Sequence, residues 1–160
     1  MAKVKTTGLT ELLKQLESLE ADTDEILEDV TLKGAGVVTD VMRQEIKSLK
    51  TSDDYEGDKR KKRYPRPEDV KGLYDSLGYT PTQFKGTKID SNVGFDGYNS
   101  YKTKKYPNGH ANRMIANAIN KGTSFMMAQP FINRSKHQAE EKCIEMMQSE
   151  LDQAIKKKIK

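Results

Sequence analysis

The clearest chemistry in this chain lies in the run Lys59, Arg60, Lys61, Lys62 and Arg63. Five adjacent cations in a stretch with almost nothing apolar would raise affinity for a polyanion without reading its sequence. Each phosphate contact would add about −0.9 to the log–log salt slope. The same run could instead pair with the acidic stretch Asp53–Asp58, in its own chain or the next, as a solvated loop. A second mixed segment has Tyr98, Tyr101 and Tyr106 interleaved with Lys102, Lys104 and Lys105. Such tyrosines can stack single-stranded bases. They can equally anchor a loop or an interface, with an apolar ring and a polar tip.

Residues for catalysis are sparse. The two histidines, His110 in a turn and His137 on the polar side of a helix, have no partner at metal-ligand spacing and read as surface residues. Asp53-Asp54 and Glu68-Asp69 are adjacent carboxylates. In loops such pairs are usually solvated or mark helix starts. No nucleophile elbow, phosphate loop or dinucleotide fingerprint is present. Cys143 is the one cysteine, so an internal disulfide is impossible and a cysteine-built metal site is not expected. It falls on an apolar helix face and reads as a small buried hydrophobe. Neither a cofactor nor a metal is called for, and an enzyme is the weakest reading.

The totals fit a single domain of 160 residues with a modest core. Apolar residues are 34% and charged residues 32%, which leaves a large share of chain for exposed loops or partner-facing surface. No apolar run is long enough to span a membrane. The start Met1-Ala2-Lys3-Val4-Lys5 lacks a signal-peptide core, so a cytoplasmic protein is expected. Charge is uneven. Residues 1–58 carry 7 basic and 14 acidic side chains, whereas residues 59–121 carry 14 and 5. An acidic first third and a basic middle suit an electrostatic seam between copies or a polyanion-facing middle.

The elements follow from periodicity. Residues 8–50 read as helical. Leu9, Leu12, Leu13, Leu16 and Leu19 form one amphipathic helix, after a possible short strand over Met1–Thr7. Asp22 or Thr23 would cap a second helix, whose apolar face runs from Ile26 to Leu49. Gly34 and Gly36 inside it suggest a close helix contact or a local break. Residues 51–69 read as an exposed basic loop. Residues 70–109 read as β-rich with a loop, a hairpin turning at Lys85-Gly86-Thr87. Residues 110–121 suit a short helix or a strand around Met114, Ile115, Ala118 and Ile119. Residues 122–160 hold a turn at Gly122-Thr123, the apolar run Phe125-Met126-Met127, Pro130 at a helix start, and a long final helix. Its stripe is Phe131, Ile132, Ser135, Ala139, Cys143, Met146, Met147, Leu151, Ala154 and Ile155. The order is helix, helix, strands, helix. The fold class is α+β: two N-terminal helices, a small antiparallel β-sheet or hairpin unit, and a long C-terminal helix packed on it. Gly122, Thr123, Phe125, Met127, Pro130 and Phe131 form a structural clasp for that helix, with Phe131 and the Phe125–Met127 run expected to be buried.

Gly122-Thr123, then Met127-Ala128-Gln129-Pro130-Phe131 and a long amphipathic helix, resemble the C-terminal signature of a phage family. These are the small neck or tail-completion proteins of long-tailed phages and prophages. The resemblance extends to Gly8-Leu9 and Leu12-Leu13, to Gly34-Ala35, and to Pro67, Gly72-Leu73 and Ser76-Leu77, which match a Pro…Thr-Gly-x-Leu-x-x-Ser-Ile segment. Val93-Gly94 matches a strand ending. Lys71 stands where the family usually has Thr, Arg134-Ser135-Lys136 replaces a common Arg-Pro-Ala, and Asp53–Arg66 looks like an insertion.

The resemblance implies a structural virion protein at the head–tail junction, made in the host bacterial cytoplasm. It implies a homo-oligomeric ring around the DNA channel, touching head-connector proteins, tail proteins and the packaged DNA, with no cofactor and no membrane. The rival expectation is a sequence-nonspecific nucleic-acid-binding protein using the basic middle segment.

Overall fold

A computed structural model describes residues 7–52, 62–86 and 88–158, and in the first helix side chains from residue 22 onward. The fold is α+β. One helix, α1 (Thr7–Lys47), runs through the whole N-terminal region. It is followed by α2 (Pro67–Ser76), strands β1 (Leu77–Tyr79), β2 (Gln83–Lys85), β3 (Lys88–Asp90) and β4 (Val93–Phe95), then α3 (Asn112–Lys121) and α4 (Phe131–Lys158). The strand expectation for the first residues lies outside the described residues, as do Asp53–Lys61 and Thr87.

The two helices expected at the N-terminus are one. Asp22 and Thr23 are cap-type residues, but neither Gly nor Pro interrupts the backbone there, and Asp22 pairs instead with Lys158 at the far end of α4. α1 and α4 pack antiparallel along a seam of small residues. A Cβ on Gly34 would stand 2.8 Å from Met147 Sδ and 3.2 Å from Cys143 Sγ, so glycine sets how closely the helices approach. Ala35, Thr39, Ser135 and Ala139 are buried in the two helices. The hydroxyls are satisfied locally: Thr39 Oγ1 donates to Ala35 O (2.8 Å) and Ser135 Oγ to Phe131 O (2.7 Å).

Residues 70–76, expected to open a β-rich unit, are helical instead, and the helix begins at Pro67 within the expected loop. Pro67 takes the first turn, where its missing N–H costs nothing, and Glu68 and Asp69 lie at the positive end of the dipole. Val70, Leu73, Tyr74 and Leu77 recur at helical spacing, and all four join the core. Nor is the whole of residues 51–69 exposed: Pro65 is fully buried, and its carbonyl accepts from Ser52 N at 3.0 Å. The polar loop therefore closes on itself at its base.

The expected hairpin is present as an interrupted ribbon. β1 pairs with β4 and β2 with β3, both antiparallel. Residues 80–82 stand opposite only 91–92, so the first strand carries one extra residue. Pro81 lies in that bulge, where no ladder N–H is needed. Thr80 holds the join: its N–H donates to Asn92 O at 2.9 Å, and its Oγ1 accepts from Asn92 N at 3.0 Å. The base of the ribbon joins the core through Leu77, Val93 and Phe95. Its outer half leans on α1, where Thr82 Oγ1 donates to Glu28 Oε1 at 2.6 Å.

The core sits at one end of the molecule. Met42, Ile46 and Leu49 meet Leu73, Leu77, Ile115, Ala116, Ile119 and Phe131. Within the segment 110–121, the helix of the two alternatives forms, as α3 from Asn112, with Met114 exposed rather than inward. Phe131 is completely buried and meets Phe95 edge-on, ring centroids 6.2 Å apart. Among the described residues no helix is long and apolar enough to cross a membrane.

A candidate basic and aromatic interface

The clasp is built differently from its expectation. Gly122 ends α3 at φ 74°, ψ 170°, a backbone region open essentially to glycine alone. Thr123 then closes a turn: its Oγ1 accepts from Met126 N at 3.0 Å and its own N–H donates to Met126 O at 3.1 Å. Beyond it the chain is extended against Arg63, whose N–H donates to Phe125 O (3.0 Å) and whose carbonyl accepts from Met127 N (2.8 Å). Extended backbone alternates its side chains. Met126 therefore packs against the core, while Phe125 is 62% exposed and Met127 40% exposed. The expectation that this whole run is buried fails for those two residues.

Gln129 does what the apolar run was expected to do. Its amide brackets the end of α1, accepting from Lys50 N at 2.9 Å and donating to Lys50 O at 3.0 Å. Its backbone N–H donates to Ile119 O at 2.8 Å. The carbonyl of Pro130 accepts from Arg134 N, and Asn120 Oδ1 accepts from Ile132 N, so the start of α4 is satisfied from both sides. Read from sequence alone, Gln129 has no role beyond its place in the Gln-Pro-Phe order.

The basic residues gather beside this clasp, stacked on tyrosines. Lys47 Nζ lies 5.1 Å from the Tyr74 ring centre, Lys50 Nζ 5.9 Å from Tyr64, and the Arg66 guanidinium 4.1 Å from Tyr101. The loop after β4 is pinned at its neck. Asn99 Nδ2 donates to Asp69 Oδ1 (2.7 Å), Asn99 N to His110 O (2.9 Å), and His110 N to Asn99 Oδ1 (2.7 Å). Gly109, at φ 90°, closes this neck: a Cβ there would lie 2.1 Å from Asn99 O. His110 is half-buried against Tyr106, ring centres 4.2 Å apart, rather than solvated. Lys102, Lys104 and Lys105 are exposed on the pinned loop, and Lys105 Nζ sits 5.6 Å from the Tyr106 ring. Of the run 59–63, Lys59, Arg60 and Lys61 lie outside the described residues. Lys62 is exposed and Arg63 is fixed by its bridge to Met126.

This surface can hold phosphates or carboxylates as a cationic, donor-rich face. Intercalating bases between its tyrosines is disfavoured where a cation or His110 already covers a ring face. Tyr98, 65% exposed, is the more open ring of this segment; Tyr101 carries the Arg66 guanidinium on one face.

The opposite pole is acidic. Residues 7–29 of α1 hold eight carboxylates and one lysine. Several carboxylates near the end of α4 are paired: Lys33 Nζ lies 2.6 Å from Glu150 Oε2 and 2.9 Å from Asp29 Oδ2, and Lys158 reaches Asp22. The bonds from Glu150 and then Asp29 raise the Lys33 ammonium above its ordinary value. Burial pushes the Cys143 thiol up, and its Sγ donates to Gly34 O at 3.6 Å. A groove of about 750 Å³ between the ribbon, α3 and α4 is floored by Met42, Val93, Phe95, Ala116 and Ile132. Asp96 and Arg113 are the charged groups among its lining residues. Among the described residues no group of three His, Cys, Asp or Glu is placed to hold a metal. No protein-family model, curated protein or solved structure matches this chain.

Proposed function

We propose that this chain is a structural subunit of the phage head–tail junction, a neck or tail-completion protein that forms a ring joining the DNA-filled head to the tail. One observation carries the reading: the molecule is electrically polar along its length. α1 is 41 residues long, about 60 Å at 1.5 Å per residue, acidic at its start and held at its end in a basic, tyrosine-backed core. Closed rings are made from heterologous contacts, one face of a subunit against a different face of the next, and opposite charge at the two poles supplies that complementarity. The resemblance of Gly122-Thr123 and Ala128-Gln129-Pro130-Phe131 to the neck and tail-completion signature supports the same role. On this reading the protein is made in the bacterial cytoplasm and ends in the virion, touching connector and tail proteins and the DNA they enclose.

Electron microscopy of lysates with this reading frame interrupted tests the role. DNA-filled heads beside separate tails are expected; intact virions would overturn the proposal.

The stacked cations favour a second reading, a sequence-nonspecific nucleic-acid-binding protein. It requires the isolated chain to bind DNA with a steep salt dependence, about −0.9 per phosphate neutralised. The junction reading requires weak or no binding by the free subunit, and fluorescence anisotropy across a salt series separates the two.

A further inference from the structure

The ribbon has strand edges without a strand partner among the described residues: β1 pairs only with β4, and β2 only with β3. Thr80 N–H donates to Asn92 O at 2.9 Å and Asp96 N–H to Ser76 O at 3.1 Å. Bonded and non-bonded pairs alternate along an antiparallel ladder. Gly78 and Gly94 are therefore the bonded pair between them, and Leu77, Val93 and Phe95 turn their N–H and C=O groups away from the opposite strand. On β1 one such group is satisfied, because Leu77 O accepts from Arg43 Nη2 at 3.3 Å. On β4 the N–H and C=O groups of Val93 and Phe95 have no hydrogen-bond partner among the described residues. This edge lies on the α3 side, and the groove of about 750 Å³ runs along it over Met42, Ala116 and Ile132. Unpaired ladder groups in a half-buried strand are a template for one more strand.

β2 is the complement. Gln83, Phe84 and Lys85 are all exposed, Phe84 at 48%, while β3 lies against α1. We infer that β2 of a second copy of this chain enters the groove and adds to β4 as a third strand, with Phe84 seated on the apolar floor. The inference rests on the ring reading above and names a contact that would build the ring.

Topology fixes the occupant. β1 and β2 form one side of the ribbon and β3 and β4 the other, so the open edges of β2 and β4 face opposite ways. A ribbon two strands wide cannot roll its own β2 onto its own β4, so the added strand comes from another copy. The β4 edge is recessed between the ribbon, α3 and α4, so two such edges cannot meet each other, whereas a projecting strand can enter. Strand addition takes affinity from main-chain bonds and specificity from pockets for alternate side chains. Phe84 between Gln83 and Lys85 offers one apolar side chain to the floor and two polar ones to the outer face. Each copy gives one edge and receives on a different one, a heterologous contact that can close into a ring. Three residues make a short contact, so a single pair is weak and many copies are needed to hold it.

Sedimentation velocity on the full chain, joined to photocrosslinking, tests this. The wild type should associate with rising concentration up to about 1 mM protein, the range of a weak contact. Phe84→Asp removes the entering side chain, and Asn117→Trp, at an exposed groove position on α3, fills the groove; each variant should be monomeric. Their equimolar mixture keeps one working strand and one working groove and should give a one-to-one heterodimer and nothing longer. Circular dichroism confirms that each variant is folded. A chain with p-benzoylphenylalanine in place of Phe84, mixed with isotopically heavy wild type, should link on irradiation to residues 92–96 or 113–117 of the heavy chain.

Association that persists in both blocked variants would overturn this contact and leave the ring reading standing. So would links that fall elsewhere on the heavy chain, or a mixture of folded variants that gives no heterodimer. A wild type that stays monomeric and gives no link between copies also overturns it; separate heads and tails in lysates would then assign the β4 groove to a strand of a different protein. Intact virions from an interrupted reading frame would remove the ring reading, while links at the groove would still establish the contact between copies.

Discussion

Gly34 and Gly36 stand two residues apart in the same helix and make a controlled pair. Nothing lies within 4 Å of a Cβ built on Gly36. Gly36→Ala should therefore collect the ordinary helix-interior gain of about 0.5–1 kcal/mol, from reduced freedom of the unfolded chain. A Cβ on Gly34 would stand 2.8 Å from Met147 Sδ, 3.1 Å from Met147 Cγ and 3.2 Å from Cys143 Sγ. Ordinary non-bonded contacts are about 3.5–4 Å, so Met147 must turn away or the helices must part by several tenths of an ångström. Overpacking of this kind costs about 1–3 kcal/mol, which cancels or exceeds the propensity gain. Gly34→Ala should thus fall between neutral and about 2 kcal/mol destabilising, and the two variants should differ by at least about 1 kcal/mol.

Urea unfolding followed by helical circular dichroism measures this, with equal slopes required for the comparison to count. In thermal midpoint the gap is about 2–4 °C per kcal/mol for a chain of this size. Adding Met147→Ala to each glycine variant should narrow the gap, because the far end of the clashing side chain is gone; the coupling should be about 0.5–3 kcal/mol. Gly34→Ala as stabilising as Gly36→Ala would refute the packed α1–α4 seam.

Phe131→Ala should destabilise by about 3–5 kcal/mol in the same assay, because the ring is wholly buried against Phe95 and the core; a loss under about 1 kcal/mol would contradict that packing. Gly122→Ala should cost about 1–3 kcal/mol, since its φ and ψ belong to glycine and a Cβ would meet Ala128 N at 3.0 Å; an unchanged midpoint in urea would dispose of the strained turn. Replacing Lys59, Arg60, Lys61, Lys62 and Arg63 by Ser should keep the helical circular dichroism and lower phage yield in a complementation assay. Normal yield would reduce the run to a solvated loop.

The stripe of α4 was legible because its partner positions repeat at helical spacing: every residue from Phe131 to Ile155 named for it is buried or half-buried. The ribbon was legible from alternation and from the turn at Gly86. Three readings failed for reasons that no local window holds. Asp22-Thr23 looks like a helix start because those side chains can cap, but α4 brings Lys158 to Asp22 and the helix continues. Val70 to Leu77 contains a helical period, but Leu73, Leu77 and Tyr79 read as leading into the strand pattern that follows, which draws the segment into the β-rich unit. Phe125 and Met127 look like core because they are apolar. Their exposure follows from the hydrogen bonds to Arg63, a residue 62 positions earlier, which make the segment extended and turn alternate side chains outward. The basic surface was legible as charge but not as an arrangement. Lys47 covers Tyr74, which lies on α2, a helix the sequence reading did not place, and Lys50 and Arg66 cover Tyr64 and Tyr101, residues 14 and 35 positions away.

Packing described from Asp22 onward accounts for the fold. Val30, Ala35, Thr39 and Val41 are buried along α1, and Met42, Ile46 and Leu49 join α2, the base of the ribbon, α3 and Phe131. The α1–α4 seam reaches Asp22, where Lys158 meets it. A chain lacking residues 1–21 should therefore keep its thermal midpoint within about 4 °C, a change of about 1–2 kcal/mol at this size, with helical signal reduced in proportion to the turns lost. A fall of about 15 °C or more would mean that residues 1–21 pack within their own subunit and belong to what folds the chain.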